Sequence, residues 1–227
     1  MTAKAQETPS VGPPSTALAK IGQQVGARLH AAPGVQKAGV EGIELFIQYD
    51  FLSPAECAQL IALIDADSEP STLFLEGENN GFRTSYSCNL DRWDEFVLRI
   101  DARICTLTGI DPDNGETLQG QRYRVGEQFQ PHHDFFHIDQ PYWPEMEETG
   151  GQRSWTVMIY LNEPEAGGET GFPALGIAVS PRAGMLMAWN NMGSDGAPNL
   201  QTLHAGQPVT AGTKYIVTKW FRERSWL

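Results

Sequence analysis

Residues 118–134 read LQGQRYRVGEQFQPHHD, in which a β-prone run, Leu118–Val125, is closely followed by His132-His133-Asp134. Alternate side chains of a β-strand point to the same face of the sheet. We therefore expect His132 and Asp134 to share one face and His133 to point to the other. This H-x-D spacing presents two metal-ligand side chains on one strand.

Two further residues near the C-terminus extend this pattern: His204 and, ten residues later, Lys214. With His132 and Asp134, His204 completes a set of two histidines and one carboxylate, which leaves coordination positions open on Fe(II) for oxygen chemistry. The same ligands could hold zinc with a single water, and an H-x-D pair alone is more typical of a solvated loop. His204, Lys214 and the β context favour the metal site, in which Lys214 would hold the far carboxylate of a co-substrate.

Composition limits the class of protein. The chain has 227 residues, of which 41% are hydrophobic, and this suffices for one sizeable core. No apolar run is long enough to span a membrane. The formal net charge of −12 argues against a nucleic-acid partner, because phosphates require a basic surface. The sequence leaves the oligomeric state open.

The cysteines and the first residues bear on the compartment. Cys57, Cys88 and Cys105 are odd in number and contain no C-x-x-C pair, which disfavours a disulfide framework or a thiolate zinc site. Residues 2–15 lack the apolar segment of a signal peptide. We therefore expect a cytoplasmic protein.

The pattern divides the chain into an N-terminal extension, residues 1–40, and a main domain, residues 41–227. Residues 2–14 have the composition of a disordered segment. Residues 15–31 place apolar side chains at helical spacing, which predicts an amphipathic helix.

Two helices are predicted early in the main domain. Ser53-Pro54-Ala55-Glu56 combines an N-cap serine, a first-turn proline and a glutamate three residues after the cap, so a helix should run to about Asp65. A second helix is predicted over Asp91–Leu107 and would end at Gly109.

After Asn114 the sequence changes to short β-prone runs separated by Gly, Pro, Asn and Asp. These runs are Leu118–Val125, Trp155–Leu161, Ile177–Val179, Met185–Trp189 and Tyr215–Phe221. Helices followed by many short strands predict a mainly β protein with flanking helices, built on a double-stranded β-helix of the jelly-roll or cupin-like type.

Several ordered motifs cover most of the chain. They are FLSPAEC at 51–57, RTS at 83–85, YRVGEQF at 123–129, PHHD at 131–134, MIYLN at 158–162, GGETGFP at 167–173 and KW at 219–220. With these motifs, residues 46–220 resemble the prolyl 4-hydroxylase branch of the 2-oxoglutarate and Fe(II)-dependent dioxygenases. The number and order of the motifs make the resemblance specific, which the H-x-D pair alone would not.

The resemblance implies a role for each matching residue. His132, Asp134 and His204 match the catalytic iron ligands, and Lys214 matches the lysine that pairs with the distal carboxylate of 2-oxoglutarate. The positions that hydrogen-bond the co-substrate in similar enzymes are occupied by Tyr123, Tyr160 and Thr170, which are equally typical of core or strand positions. Arg153 and Trp220 match positions near the substrate, although an arginine there is also typical of a solvated strand end and a tryptophan of the core.

The resemblance also implies an activity: hydroxylation of a prolyl residue in a peptide or protein, with release of succinate and CO2. The reaction would use Fe(II), 2-oxoglutarate and O2, with ascorbate as reductant. Asp134 favours hydroxylation over halogenation, because related halogenases have a small residue in its place. Phe129 stands where similar prolyl hydroxylases have a tyrosine, which weakens the case for proline. The alternatives are a hydroxylase of a free amino acid or small metabolite, and a non-catalytic cupin-like metal-binding module.

Two segments are predicted to be movable covers over the substrate. Glu76–Phe82 is rich in Gly and Asn, and Ile138–Gln152 combines aromatic and acidic residues directly after the metal motif. Long polar loops between strands are often functional.

Overall fold

The computed structural model describes residues 11–72 and 81–226. Within these residues lie four α-helices: α1 Thr16–Ala31, α2 Pro54–Asp67, α3 Glu95–Thr108 and α4 Trp143–Glu148. The strands of the same part of the chain are β1 Val35–Lys37, β2 Leu45–Gln48, β3 Glu69–Pro70, β4 Tyr86–Asn89, β5 Gln119–Tyr123, β6 Phe129–His132, β7 Arg153–Tyr160, β8 Ala166–Gly167, β9 Thr170–Phe172, β10 Ile177–Val179, β11 Leu186–Asn190, β12 His204–Gly206, β13 Val209–Ala211 and β14 Lys214–Arg222.

The strands form one large and one small antiparallel sheet. The large sheet has the order β1-β2-β11-β7-β14-β5-β4-β3, and the small sheet has the order β10-β9-β12-β6. A further short pair joins β8 to β13. The predicted mainly β architecture with flanking helices is therefore confirmed, and each predicted β-prone run contains a strand within about two residues of the expected bounds.

The large sheet has a hydrophobic core on each face. On strand β7 every residue is buried, and its side chains alternate between the two cores. Val157 and Ile159 pack with the helices, whereas Met158 and Tyr160 pack with residues of the small sheet such as Phe172. The core that contains Met158, Tyr160 and Phe172 fills the space between the two sheets, which is the interior of the β-helix. The candidate site lies in this interior.

Side-chain caps set the N-terminal ends of helices α1, α2 and α3, although the cap of α3 is not the predicted one. Helix α1 begins after Ser15, and α2 has the predicted capping box, in which Ser53 and Glu56 bond each other's backbone N–H groups. Helix α3 does not begin at Asp91. The carboxylate of Asp94 accepts hydrogen bonds from two N–H groups of the first turn, and the preceding residues form a separate turn. Asp94 therefore outcompetes Asp91 as the cap.

The residues between 16 and 40 pack with the main domain. Val25 and Leu29 of α1 belong to the core under the large sheet, and strand β1 pairs with β2 at the sheet's edge. Residues 2–10 of the predicted disordered segment, which spans residues 2–14, lie outside the described residues. The division at residue 40 remains a prediction. In the described part of the chain, no helix combines the length and apolar character required to cross a membrane.

The two predicted covers differ in outcome. Residues 73–80, which include most of Glu76–Phe82, lie outside the described residues. The prediction of a long polar loop over Ile138–Gln152 was wrong in form, because this segment contains helix α4. The Gln152 side chain hydrogen-bonds the backbone of Phe136, and Arg222 donates to the carbonyl of Met146. These bonds fasten the segment to the body of the protein.

Candidate active site

Two histidines lie side by side on neighbouring strands of the small sheet. Strand β6 carries His132 and strand β12 carries His204, and the two residues are direct partners in the antiparallel register. Their ring centroids lie 4.3 Å apart. The long sequence separation between them is therefore closed by a single strand pairing, which the sequence pattern alone did not specify.

Asp134 joins the two histidines from a bend rather than from the strand. Strand β6 ends at His132, so the alternation argument for a shared strand face was wrong in its geometry. The carboxylate is nevertheless in place: Oδ1 lies 3.9 Å from His132 Nε2, and Oδ2 lies 3.7 Å from His204 Nε2. One ligand atom from each residue lies within 4.8 Å of the others, as a shared metal ion requires.

Backbone carbonyls fix the tautomer of both rings. His132 Nδ1 lies 2.8 Å from the carbonyl oxygen of Gln130, and His204 Nδ1 lies 2.9 Å from that of Thr202. Because a carbonyl can only accept, each Nδ1 must carry a hydrogen, and Nε2 is the ring atom left to bind a metal. Such outer contacts orient histidine ligands in metal sites.

His132 and Asp134 are both held in the protonation states that bind a metal, but by different causes. The pKa of His132 is lowered to about 3, first by burial and then by the neighbouring His204, so its imidazole is neutral. Burial would raise the pKa of Asp134, but the nearby His204 and His132 rings, Arg153 and a hydrogen bond outweigh it. The carboxyl pKa lies below its usual value, and Asp134 is an anion.

A buried hydrogen-bond chain holds the Asp134 carboxylate. The hydroxyl of Thr156 on β7 donates to Asp134 Oδ2 at 2.7 Å, and Asn191 Nδ2 donates to the same hydroxyl at 2.9 Å. Thr156 and Asn191 are both 0% exposed, so water cannot replace these bonds. The chain occupies Oδ2 and leaves Oδ1 as the freer oxygen for a metal. Neither residue was predicted from the sequence, although a threonine inside the apolar run Trp155–Leu161 was a signal of a buried polar contact.

This contact leads to a testable prediction for Thr156→Val. Valine has a similar shape but no hydroxyl, so Asp134 loses its donor and Asn191 loses its acceptor. We expect the affinity for Mn(II) or Fe(II), measured by anaerobic titration calorimetry, to fall by roughly 10-fold to 100-fold. Thr156→Ser keeps the hydroxyl and should retain affinity close to that of the unmodified protein. Equal affinities for the Val and Ser variants would show that Thr156 does not position the carboxylate.

Lys214 lies beside His132, Asp134 and His204, which form the metal-ligand triad, in an inner cavity between the sheets. It is 1% exposed, and no carboxylate of the described residues lies within 4.0 Å of its Nζ. The cavity is also lined by His132, Asp134 and His204. Gly168 gives the lysine room, because a Cβ at that residue would lie 3.1 Å from Lys214 Cδ. A buried ammonium without an anionic partner is costly, so the cavity is suited to an anionic ligand.

The ionisation of Lys214 predicts how 2-oxoglutarate binding depends on pH. Burial lowers the pKa of Lys214 to about 7, an effect that Glu169 only partly opposes. A bound carboxylate would raise this pKa, so binding above pH 7 must be accompanied by proton uptake. We expect the dissociation constant of the Mn(II)-loaded protein for 2-oxoglutarate to rise between pH 7 and pH 8.5, by at most about tenfold per pH unit. Calorimetric titrations would measure it. In Lys214→Ala this dependence should vanish, and a constant of the unmodified protein that does not change with pH would contradict the prediction.

The three predicted co-substrate contacts surround Lys214 but already have internal partners. Its Nζ lies 5.0 Å from the ring centroid of Tyr123 and 5.5 Å from that of Tyr160. The Tyr123 hydroxyl donates to Gln121 Oε1 at 2.6 Å, and the Tyr160 hydroxyl bonds Thr170 Oγ1 at the same distance. Tyr123 and Thr170 line the inner cavity, whereas Tyr160 is packed behind it. Their contact with a co-substrate remains a prediction.

Arg153 is held in a buried ion-pair network, so the alternative of a solvated charge was wrong. Its Nε and Nη2 atoms donate to the two oxygens of Glu116 at 2.7 and 2.6 Å. Arg222 Nη1 donates to Glu116 Oε1 at 3.1 Å. The Arg153 guanidinium lies 4.1 Å from the ring centroid of Trp220. Glu116, distant in sequence from both arginines, was missed because no local pattern links them.

Trp220 and Phe129 line the route from the triad to the surface. Both border the inner cavity and also a larger outer cleft of about 420 Å³. Trp220 is 8% exposed, and its indole Nε1 has no hydrogen-bond partner among the described residues. The Phe129 ring stacks on the His132 imidazole at a centroid distance of 3.5 Å. Phe129 therefore supports a ligand ring and brings no hydroxyl to the cleft.

His133, the other histidine of the motif, makes its contacts outside the metal-ligand set. His133 Nε2 lies 3.1 Å from the carbonyl oxygen of Leu200, and its ring stacks on Phe135. His133 is also not one of the three residues that converge as metal ligands in the described part of the chain. The expectation that it packs outside the metal set agrees with this geometry.

The residues of the site lie in a region of sequence that is shared with known proteins. A family model of the 2OG-Fe(II) oxygenase superfamily matches residues 118–222, which contain all three triad residues and Lys214. A probable prolyl 4-hydroxylase 8 of Arabidopsis thaliana is 34% identical in an alignment of 200 residues that covers 78% of this chain and 67% of that protein. The chain belongs to the prolyl 4-hydroxylase family. It is thereby a member of the 2-oxoglutarate and Fe(II)-dependent dioxygenases.

Two other relatives define the extent of the likeness. The prolyl 4-hydroxylase subunit alpha-1 of Homo sapiens is 39% identical over 145 residues, but the match covers only 27% of that longer protein and 63% of this chain. A viral collagen prolyl hydroxylase from Paramecium bursaria Chlorella virus-1, solved with 2-oxoglutarate, is 27% identical. Its structure superposes with a TM-score of 0.61 and covers 82% of this chain and 99% of the viral one. The double-stranded β-helix fold is thus confirmed.

The residues present fit the two groups that the family uses. Two imidazoles and one carboxylate form a donor set suited to Fe(II). The buried Lys214 ammonium, which lacks a carboxylate partner among the described residues, suits the distal carboxylate of 2-oxoglutarate. When bound together, Fe(II) and 2-oxoglutarate supply the reduction of O2 that drives hydroxylation and releases succinate and CO2.

Proposed function

We propose that this protein hydroxylates a prolyl residue of a peptide or protein, with Fe(II) held by His132, Asp134 and His204. The observation that best supports this is the convergence of these three ligand atoms beside the buried Lys214 in one inner cavity. A cupin-like module that only bound metal would have no need for a buried ammonium aimed at an anion. The arrangement therefore favours an enzyme with 2-oxoglutarate as co-substrate.

In this proposal the side chains of the protein position the co-substrate, neutralise its charge and exclude water from the inner cavity. Lys214 would form a charge-assisted bond with the distal carboxylate of 2-oxoglutarate, which fixes the orientation of the co-substrate. Tyr123 and Thr170 would border its carbon chain. The carbonyls of Gln130 and Thr202 keep both imidazoles in the ligating tautomer. The apolar core around the inner cavity limits access of water, which strengthens each charge interaction there.

The outer cleft is proposed to bind the substrate. Its walls include Arg153 and Trp220, and it leads from His132 and Asp134 to the half-buried Trp226 near the C-terminus. A groove that continues from the metal ligands to the surface suits a chain that enters and leaves, and this favours a peptide over a free amino acid. Arg153 and the indole N–H of Trp220, which has no hydrogen-bond partner among the described residues, would contact this peptide.

Three finer assignments accompany the proposal. Ascorbate would act as the reductant that keeps the bound iron in the Fe(II) state. A cytoplasmic location is supported by Cys57, Cys88 and Cys105, which are all buried and free, as expected in a reducing compartment. Residues 41–227 would form the oxygenase domain, with residues 1–40 as an extension whose helix α1 packs on it.

The substrate class is tested by incubating the protein, Fe(II), 2-oxoglutarate and ascorbate with a proline-containing peptide library and, in parallel, with free amino acids. We expect peptides that gain one oxygen atom on proline, as located by tandem mass spectrometry, with succinate formed in equal amount. Oxygen gain confined to free amino acids would replace the prolyl substrate by a small metabolite. Tight metal binding without any succinate would support the non-catalytic module.

A further inference from the structure

We infer that the peptide-binding surface extends beyond the outer cleft onto an aromatic platform formed by Arg92, Trp93 and Trp226. The occupant of this platform is the proline-rich flank of the substrate peptide. The inference rests on the proposed function, because that function places the hydroxylated residue at the bottom of the cleft. The residues that flank it must then run outward over the surface.

The platform is continuous with the cleft. Trp226 lines the same cavity as His132 and Asp134. Asn89 also lines this cavity and ends strand β4, and after two further residues the chain forms the turn that carries Arg92 and Trp93. The Arg92 guanidinium lies 5.9 Å from the ring centroid of Trp226 and 5.4 Å from that of Trp93. One cation therefore links an indole inside the cleft to an indole outside it.

The platform is built from anchored residues. The backbone N–H of Trp93 donates to Asp91 Oδ1 at 2.9 Å, and that of Trp226 donates to the carbonyl of Asp113 at 2.8 Å. Even so, Trp93 is 76% exposed, the largest exposed fraction among the big hydrophobic side chains of the described residues. Together with Trp226 and the intervening Arg92, Trp93 forms an aromatic patch, and contiguous exposed patches mark contact surfaces.

The chemistry of the platform favours proline as its occupant. Proline-rich segments adopt the polyproline II helix without internal hydrogen bonds and dock their rings on grooves lined by aromatic side chains. The two indole rings can lie no farther apart than the sum of their distances to Arg92, which is a few residues of such a helix at about 3.1 Å each. Because the segment is already extended, it loses little conformational entropy on binding.

Steady-state kinetics with peptides of two lengths test this inference. The probes are a peptide with one Pro-Pro-Gly repeat and a peptide with several repeats, each blocked at both ends. In the double variant Trp93→Ala/Trp226→Ala, we expect KM for the long peptide to rise at least fivefold more than KM for the short one. Most of the change should fall on KM rather than on kcat. Calorimetric binding of the long peptide to the Mn(II)-loaded protein should weaken in parallel, which provides a readout independent of turnover.

Matched controls separate the possible results. Leu98→Ala removes another exposed side chain, on α3, and should retain both KM values; thermal melting of each variant verifies folding. An unchanged ratio of the two KM values in the double variant would overturn the platform while prolyl hydroxylation stands. Failure of the unmodified protein to hydroxylate any prolyl peptide would overturn the proposed function and the platform with it. A dimer of the unmodified protein that the double variant dissociates would assign the surface to a second copy instead.

Discussion

Replacing Asp134 by alanine is expected to lower kcat by roughly a thousandfold or more, because the metal loses its single carboxylate ligand and several kcal/mol of stabilisation. Asp134 is the only acidic residue of the converging set in the described part of the chain, and its pKa is below the usual value, so it supplies the one negative charge that offsets a divalent cation. The remaining ligands, His132 and His204, bring no negative charge. Metal affinity and turnover should therefore fall together.

Turnover is measured as succinate release, and metal affinity by anaerobic titration with Mn(II). Asp134→Asn provides a variant of the same shape, in which the side-chain oxygen can still accept from Thr156, so a loss in both variants reports the charge rather than a cavity. Asp139→Ala removes an exposed carboxylate five residues away and should behave as the unmodified protein. Full activity in Asp134→Ala would exclude this residue from the metal site.

Replacing Lys214 by alanine is expected to raise KM for 2-oxoglutarate by about 10-fold to 100-fold, since a buried hydrogen bond to a charged group contributes about 1.5–3 kcal/mol. The ammonium is 1% exposed, and no carboxylate of the described residues lies within ion-pair distance of it. Its loss would leave the co-substrate's distal carboxylate unpaired in an apolar cavity. Steady-state succinate assays with varied 2-oxoglutarate measure the effect.

A second co-substrate identifies the group that Lys214 contacts. 2-Oxopentanoate has the same chain length as 2-oxoglutarate but lacks the distal carboxylate. The unmodified protein should prefer 2-oxoglutarate strongly, and Lys214→Ala should lose most of that preference, as expected when one partner of a pair is already absent. Lys20→Ala removes an exposed lysine and serves as the control. An unchanged preference in Lys214→Ala would place the distal carboxylate elsewhere.

Local sequence signals were sufficient to predict those helices whose stability depends on contacts between residues close in sequence. The capping box at Ser53 and Glu56 and the apolar spacing of α1 act within a few residues, and both helices begin where predicted. Competition between two local signals was less predictable: Asp91 and Asp94 are both acceptable caps, and only the folded chain shows that Asp94 bonds the first turn. Helix α4 was missed because its stability comes from contacts with the C-terminal segment, such as that of Arg222 with Met146.

Residue identity and order were enough to find the ligand set, but not its geometry. The pairing of His132 with His204 joins strands distant in sequence, and Asp134 reaches the site from a bend after β6. The contacts that hold these ligands, from Thr156 and Asn191, depend on how the large sheet packs on the small one. The Glu116 partner of Arg153 likewise depends on tertiary structure. A residue that positions another side chain, rather than contacting a ligand itself, gives only a weak signal in a single sequence.

The most direct test of a 2-oxoglutarate-dependent prolyl hydroxylase is the fate of the two atoms of O2. The unmodified protein, loaded with Fe(II) and supplied with 2-oxoglutarate and a peptide selected from the library, would be run under isotopically heavy O2. Mass spectrometry should find one heavy atom in the new prolyl hydroxyl group and the other in succinate, with neither product formed when 2-oxoglutarate is withheld. A hydroxyl oxygen derived from water, or a hydroxylated peptide formed without 2-oxoglutarate, would contradict the proposed function.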